Sequence, residues 1–187
     1  RCKGMIDLSP PNVEIRMSAQ ITAETDGPYI VERFEAGITH LTLNRGRQLN
    51  PLSEEMLGAL SDALARAGDD ENVRAVVLGA NGKGFCAGHD LRQMRSHHDT
   101  TYYQTLFERC SGVMRAIIEL PKPVIARVQG IATAAGCQLV ATCDLAVASD
   151  SARFAVSGIN VGLFCSTPSV ALSRNVARKR AFEMLIT

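Results

Sequence analysis

GIATAAGCQLVATCD, residues 130–144, follows the apolar run Pro123–Val128 and opens with small side chains, Ala132, Ala134, Ala135 and Gly136, before the bulkier Leu139 and Val140. Small residues let a backbone come close to a ligand. The pattern predicts a strand over Pro123–Val128 and a helix opening at Ala135. The first N–H groups of such a helix have no intrahelical partner and lie at the positive end of its dipole. That is a place to hold an oxygen that acquires negative charge. Taken alone, an Ala/Gly-rich helix start also serves tight packing of helix on sheet. An earlier glycine-broken stretch, GFCAGHDL at 84–91, is its partner.

Working outward, Tyr29–Phe34 and Ile38–Leu43 are short runs rich in Val, Ile, Thr and aromatics, separated by Glu35, Ala36 and Gly37. They read as a hairpin. Ser53 is placed to cap a helix in which Met56, Leu57, Leu60, Ala63, Leu64 and Ala67 recur at spacings of three and four, ending at Gly68-Asp69-Asp70. Arg74–Leu78 is of strand length and feeds the loop Gly79–Gly88. Thr100–Leu120 has a long helical pattern stopped by Pro121 and Pro123. Beyond residue 144 the chain reads as a buried strand Leu145–Ala148, an extended piece around Phe154–Val156, and two helices, Pro168–Val176 and Arg178–Ile186. Strands alternate with helices and no linker interrupts them, so the fold class is α/β.

The chain has 187 residues, 46% of them hydrophobic, enough for one domain with a sizeable core. Its formal charge is +1, from 20 basic and 19 acidic residues. Such a balance gives no field to attract nucleic acid or an anionic membrane, and points to a small-molecule partner. No run reaches the roughly 18 apolar residues of a membrane helix. The six cysteines form no CxxC and fit a reducing interior. No metal site is expected from them and the four histidines. Residues 1–28 read as an unstructured extension, with Met17 a candidate true start, and 29–187 as the core.

Read together, LTLNRGRQLN (41–50), GKGFCAGHDL (82–91), PKPVIARVQGIATAAGCQLVATCDLAVAS (121–149) and FAVSGINVGLF (154–164) resemble the crotonase superfamily, the enoyl-CoA hydratases and isomerases. The resemblance runs from about Tyr29 to the end. It implies a spiral of ββα units and a site for an acyl-CoA thioester, with no cofactor other than coenzyme A as part of the substrate. It also implies further C-terminal helices beyond Thr187, which close the pocket and build a homotrimer or dimer of trimers. A cytoplasmic location follows for a bacterial source, and a mitochondrial one is open to a eukaryotic source.

Carried over position by position, the family's oxyanion donors are the backbone N–H groups of His89 and Ala135. An enolate developing beside a thioester is favoured by two preorganised donors, each worth about 3–4 kcal/mol in the transition state. Ala87, His89, Asp90, Leu91, Arg92 and Ala135 fall where the family binds substrate. Arg45 or Arg47 would meet the phosphates of coenzyme A. The two glutamates with which the family's hydratases move protons are replaced, by Gln138 and Gly158. An amide exchanges no proton near neutral pH, and glycine has no side chain. Two readings follow: an enzyme with non-standard catalytic residues, or a non-catalytic acyl-CoA-binding or regulatory homologue. RNA binding is a minor alternative, motivated by Arg174, Arg178, Lys179 and Arg180, a basic run that otherwise reads as a solvated helix face. No nucleic-acid partner is expected.

Overall fold

A computed structural model describes residues 27–187. Strands β1 (Ile30–Glu35) and β2 (Ile38–Leu43) form an antiparallel hairpin, turned by Ala36 and Gly37 at φ 49° and 82°. Positive φ at both central positions matches the right-handed twist of a two-stranded ribbon. Ser53 then caps helix α1 (Glu54–Asp69), its side chain accepting from the Met56 N–H. Strand β3 (Ala75–Ala80) pairs in parallel with β2, and β4 (Val124–Val128) with β3. Between them lie α2 (Leu91–Ser96) and α3 (Thr100–Glu119).

After β4 come β5 (Ile131–Thr133), α4 (Ala135–Thr142), β6 (Leu145–Ala148), β7 (Arg153–Ala155), α5 (Ser166–Asn175) and α6 (Arg178–Ile186). Short 3-10 turns sit at Gly46–Gln48 and Ser157–Val161. The main sheet runs β1-β2-β3-β4-β6, and β5 pairs with β7 in a small second sheet. This is the α/β arrangement expected from the sequence.

The core follows from the two periodicities. Leu41, Leu43, Val76, Leu78, Val124 and Ala126 alternate inward from β2, β3 and β4. Met56, Leu57, Leu60 and Leu64 of α1 and Leu106, Val113 and Ile117 of α3 pack in the same buried cluster. Lys122 ties the end of α1 down, its Nζ donating to the carbonyls of Ala67, Gly68 and Asp70 at 2.7, 2.9 and 2.5 Å.

One expectation is overturned. Leu145–Ala148 forms a strand, but it is exposed rather than buried, with Leu145 62% and Val147 64% accessible. Among the described residues it is the last strand of the sheet, paired with β4 alone. A continuous apolar run does not by itself distinguish a central strand from an edge strand. The expected extension 1–28 lies outside the described residues except for Gly27 and Pro28.

Candidate active site

Residues 84–91 and 130–135 run side by side. The N–H groups of Phe85 and Cys86 both donate to the Ile131 carbonyl (2.9 and 3.1 Å), and the Thr133 N–H donates to the Cys86 carbonyl at 2.9 Å. Gly136 packs so closely on Cys86 that an added Cβ would lie 2.2 Å from the Cys86 carbonyl oxygen. The loop is held from its other side by amides. Gln129 Nε2 donates to the carbonyls of Ala80, Gly82 and Gly84, and Asn50 Nδ2 to those of Asn81 and Gly84.

The two N–H groups singled out in the sequence are aimed by their own peptides. The Gly88 carbonyl accepts from the Leu52 N–H at 2.8 Å. In a trans peptide the N–H points opposite to the C=O, so the His89 N–H is turned away from Leu52. The Ala134 carbonyl accepts from the Gln138 N–H at 3.1 Å, along the helix, so the Ala135 N–H points backward out of the α4 N-terminus. A Cβ on Gly88, at φ 90°, would lie 3.3 Å from the Ala135 nitrogen and 2.9 Å from the Ala134 Cβ. The peptide carrying the His89 N–H therefore sits beside the one carrying the Ala135 N–H.

Backbone strain marks this junction. Ala134 adopts φ 51° and ψ −123°, a conformation that suits glycine, and its N–H donates to the Ala155 carbonyl at 3.0 Å. Strain of this kind persists where surrounding structure over-determines it. The bonds on either side of Ala134 supply that constraint.

The side chains divide clearly. Gln138 is buried, 6% exposed, and its Oε1 has no hydrogen-bond partner among the described residues. His89 packs edge-on against Phe107 with ring centroids 5.3 Å apart, and its Nδ1 is buried without a hydrogen-bond partner among the described residues. Burial pushes the His89 pKa below its ordinary value, and the Leu52 carbonyl partly opposes the shift. The imidazole is neutral at pH 7. Cys86 is pushed up to about 12 and Cys137 to about 11, both chiefly by burial, so neither is a thiolate at neutral pH.

Other expected residues have structural partners. Asp90 caps α2, its Oδ1 accepting from the N–H groups of Arg92 and Gln93. The Ala87 N–H donates to the Leu49 carbonyl at 2.9 Å. Arg45 lies 3.7 Å over the Tyr29 ring and donates to the carbonyls of Gly27, Pro28 and Asn44, which engages its guanidinium with the start of β1. Leu91 is exposed at the start of α2, where Arg92 follows it on the surface, and Arg47 lies in the 3-10 turn after β2. Beyond the expected residues, Asp144 Oδ2 accepts from the Val124 N–H at 2.7 Å.

Gly158 holds a surprise. A Cβ there would meet Cys165 Sγ and the Leu163 carbonyl oxygen, each at 2.6 Å. A cysteine and a backbone carbonyl fill the space in which a side chain at 158 would begin. The sequence contained both residues but no sign of their contact. Ala134 and Gly88 were likewise legible only as small residues, not as the strained and closely approached positions they are.

A sheet with α4 set against a stitched loop is an architecture this chain shares with solved structures of the crotonase fold. The profile of the family described as enoyl-CoA hydratase/isomerase matches residues 33–187, and the chain belongs to that family. Enoyl-CoA hydratase domain-containing protein 3, mitochondrial, from Xenopus laevis is 48% identical over 160 residues, covering 86% of this chain and 54% of the relative. The Homo sapiens protein of that name is 47% identical over 151 residues, covering 81% and 50%.

Among solved structures, an enoyl-CoA hydratase from Mycobacterium smegmatis superimposes with a TM-score of 0.84 at 65% identity, covering 86% of this chain and 63% of that one. Human enoyl-CoA hydratase domain-containing protein 3 gives 0.81 at 46% identity, covering 84% and 62%. The chain spans about half the length of the curated relatives it matches.

Proposed function

We propose that the protein binds an acyl-CoA thioester and holds its carbonyl oxygen between the backbone N–H groups of His89 and Ala135, favouring the enolate over the neutral thioester. The observation that carries this reading is the approach of Gly88 to Ala135, 3.3 Å from a Cβ position to the nitrogen, with both N–H groups aimed by the bonds of their own peptides. Preorganised donors act without reorganising during the reaction, which is why geometry of this kind counts more than side-chain identity. Catalysis is then of the hydratase or isomerase class, with proton transfer by groups other than two glutamates. A second reading is a binding protein without turnover. It is favoured by Gln138 and by the filled space at Gly158, which together remove the paired acids of hydration.

The test is binding and turnover with the same thioesters. Butyryl-CoA should raise the melting temperature of the protein, as any ligand of the native state does. Gly88→Ala, which puts a methyl 3.3 Å from the Ala135 nitrogen, should abolish that shift while the variant still melts cooperatively. An undiminished shift in Gly88→Ala would exclude the two-donor site. Conversion of crotonyl-CoA above the buffer rate selects the enzyme, and binding without conversion selects the second reading. The frog and human relatives are named as mitochondrial, which makes that compartment the proposal for a eukaryotic source. A trimer is the proposed assembly, to be read by sedimentation.

A further inference from the structure

The loop that carries the His89 N–H is gripped at two points, and both grips come from the start of α1. The Leu52 N–H donates to the Gly88 carbonyl at 2.8 Å, and Leu52 and His89 form an isolated parallel bridge. Further along, Gln93 reaches the same stretch with its side chain. Its Oε1 accepts from the Glu54 N–H at 2.9 Å, and its Nε2 donates to Glu55 Oε2 at 3.4 Å. Each end of the amide is used in the sense its chemistry allows, oxygen accepting and nitrogen donating. The Glu54 N–H belongs to the first turn of α1, where it has no partner within the helix. Ser53 at the cap takes the Met56 N–H instead, so this part of the cap is supplied from 39 residues downstream.

Helix α2 is held lightly. None of its six residues is buried, and Asp90 caps it from within its own segment. Its far end is fixed by Met94, half-buried on the core cluster, and by Tyr103 Oη, which lies 3.0 and 2.9 Å from the Met94 and His97 carbonyls. Its near end, next to His89, is tied to α1 by Gln93. Segments with few buried apolar contacts open locally at low cost. A peptide plane held by one hydrogen bond can rock about that bond, and a second anchor a few residues along limits the rocking. The Gly88–His89 peptide has its first anchor at Leu52, and Gln93 supplies the second.

We infer that Gln93 is a positioning residue for the thioester oxygen: its side chain clamps the start of α2 to the N-terminus of α1 and so keeps the His89 N–H aimed beside that of Ala135. This deepens the thioester reading above and rests on it.

The experiment pairs amide hydrogen exchange of the unliganded full chain with titration calorimetry against butyryl-CoA, in wild type, Gln93→Leu, Gln93→Glu and Arg109→Met. Leucine keeps the bulk and removes both bonds. Exchange over residues 89–96 should quicken about tenfold, the ratio one net hydrogen bond supports. Affinity for butyryl-CoA should fall by a similar factor, because the aimed loop is populated that much less. Glutamate keeps an oxygen for the Glu54 N–H, and its charge suits a helix start, so affinity should return to within about threefold of wild type. Arg109→Met breaks the 3.0 Å ion pair of Arg109 with Glu54 without touching α2, and should leave both readouts unchanged. Should the leucine variant fail to fold, Gln93→Asn, one carbon too short to reach, takes its place.

Quickened exchange with unchanged affinity in Gln93→Leu overturns the inference while leaving the thioester site standing, since the clamp would not serve the donor. Unchanged exchange overturns it as well, because there would be no clamp. The same loss of affinity in Arg109→Met, or no recovery in Gln93→Glu, assigns the effect to a general disturbance of the α1 N-terminus and also overturns it. Absence of butyryl-CoA binding in the wild type removes the thioester reading itself, and the inference with it.

Discussion

Cys165 Sγ lies 2.6 Å from the point where a Cβ on Gly158 would sit, and the Leu163 carbonyl oxygen is equally close on that point. The glycine is thus a packing requirement of the turn that leads into α5. Restoring an acid at this position should not restore a hydratase. Gly158→Glu is expected to destabilise the protein by about 1–3 kcal/mol through overpacking. For a chain of this size that lowers the melting temperature by about 2–4 °C per kcal/mol. Adding Cys165→Ala should recover only part of the loss, since the Leu163 carbonyl stays in place. Full recovery on thermal melting of the double variant would show that the sulfur alone sets the limit.

Ala134 is a non-glycine residue in a conformation that suits glycine, and it precedes the proposed donor Ala135. Holding an L-residue in the left-handed half of the map costs about 1–2 kcal/mol. Ala134→Gly releases that strain but loosens the unfolded chain, which returns about 0.5–1 kcal/mol. The net expectation is a gain of up to about 1 kcal/mol in urea unfolding. Ala134→Val should lose stability, because a branched side chain at this φ also faces Gly88. A valine variant as stable as wild type would mean that the turn relaxes freely.

These two positions show where sequence reading stops. The hairpin, α1, α3, β4 and the opening of α4 at Ala135 were all legible, because periodicity, the Ser53 cap and the proline stops are local signals. The small residues that open the site, Ala132, Ala134, Ala135 and Gly136, were legible as such for the same reason. What was not legible depends on tertiary neighbours. Leu145 and Val147 look like core until the sheet order puts β6 at its edge. The contact of the Arg45 guanidinium with the Tyr29 ring joins positions 16 residues apart, and no local signal announces it. The packing of Cys165 into the space at Gly158 likewise depends on how the turn folds back on itself. The α2 turn was missed because Leu91–Ser96 is too short to show a period, although Asp90 is a cap residue by type.

Lys122 is expected to matter well beyond its sequence position between two prolines. Its ammonium donates to three carbonyls at the α1 C-terminus, where the helix dipole is negative. Lys122→Met keeps the aliphatic stem but removes the donors. A loss of about 2 kcal/mol is expected in urea denaturation, the magnitude of charged hydrogen bonds left unmade. Lys122→Arg should lose less. A methionine variant within a few tenths of wild type would place those carbonyls in contact with water.

The histidines set the acid limb of stability. Burial depresses the His89 pKa below 6.5 with the Leu52 carbonyl opposing, and His40 is shifted the same way by burial first, then by Arg33 and Arg127. A base whose pKa is depressed on folding binds fewer protons in the native state than in the unfolded chain. Its contribution is therefore complete above pH 6.5 and is lost as pH falls from there through the folded value. The melting temperature should decline over that interval, apart from any slope due to carboxylates lower down. His89→Phe removes the buried imidazole and should flatten the decline, leaving the part due to His40. Because the proposed donor at 89 is the backbone N–H, the same variant should still respond to butyryl-CoA at pH 7. A melting profile as steep in His89→Phe as in wild type would assign the acid limb to other groups.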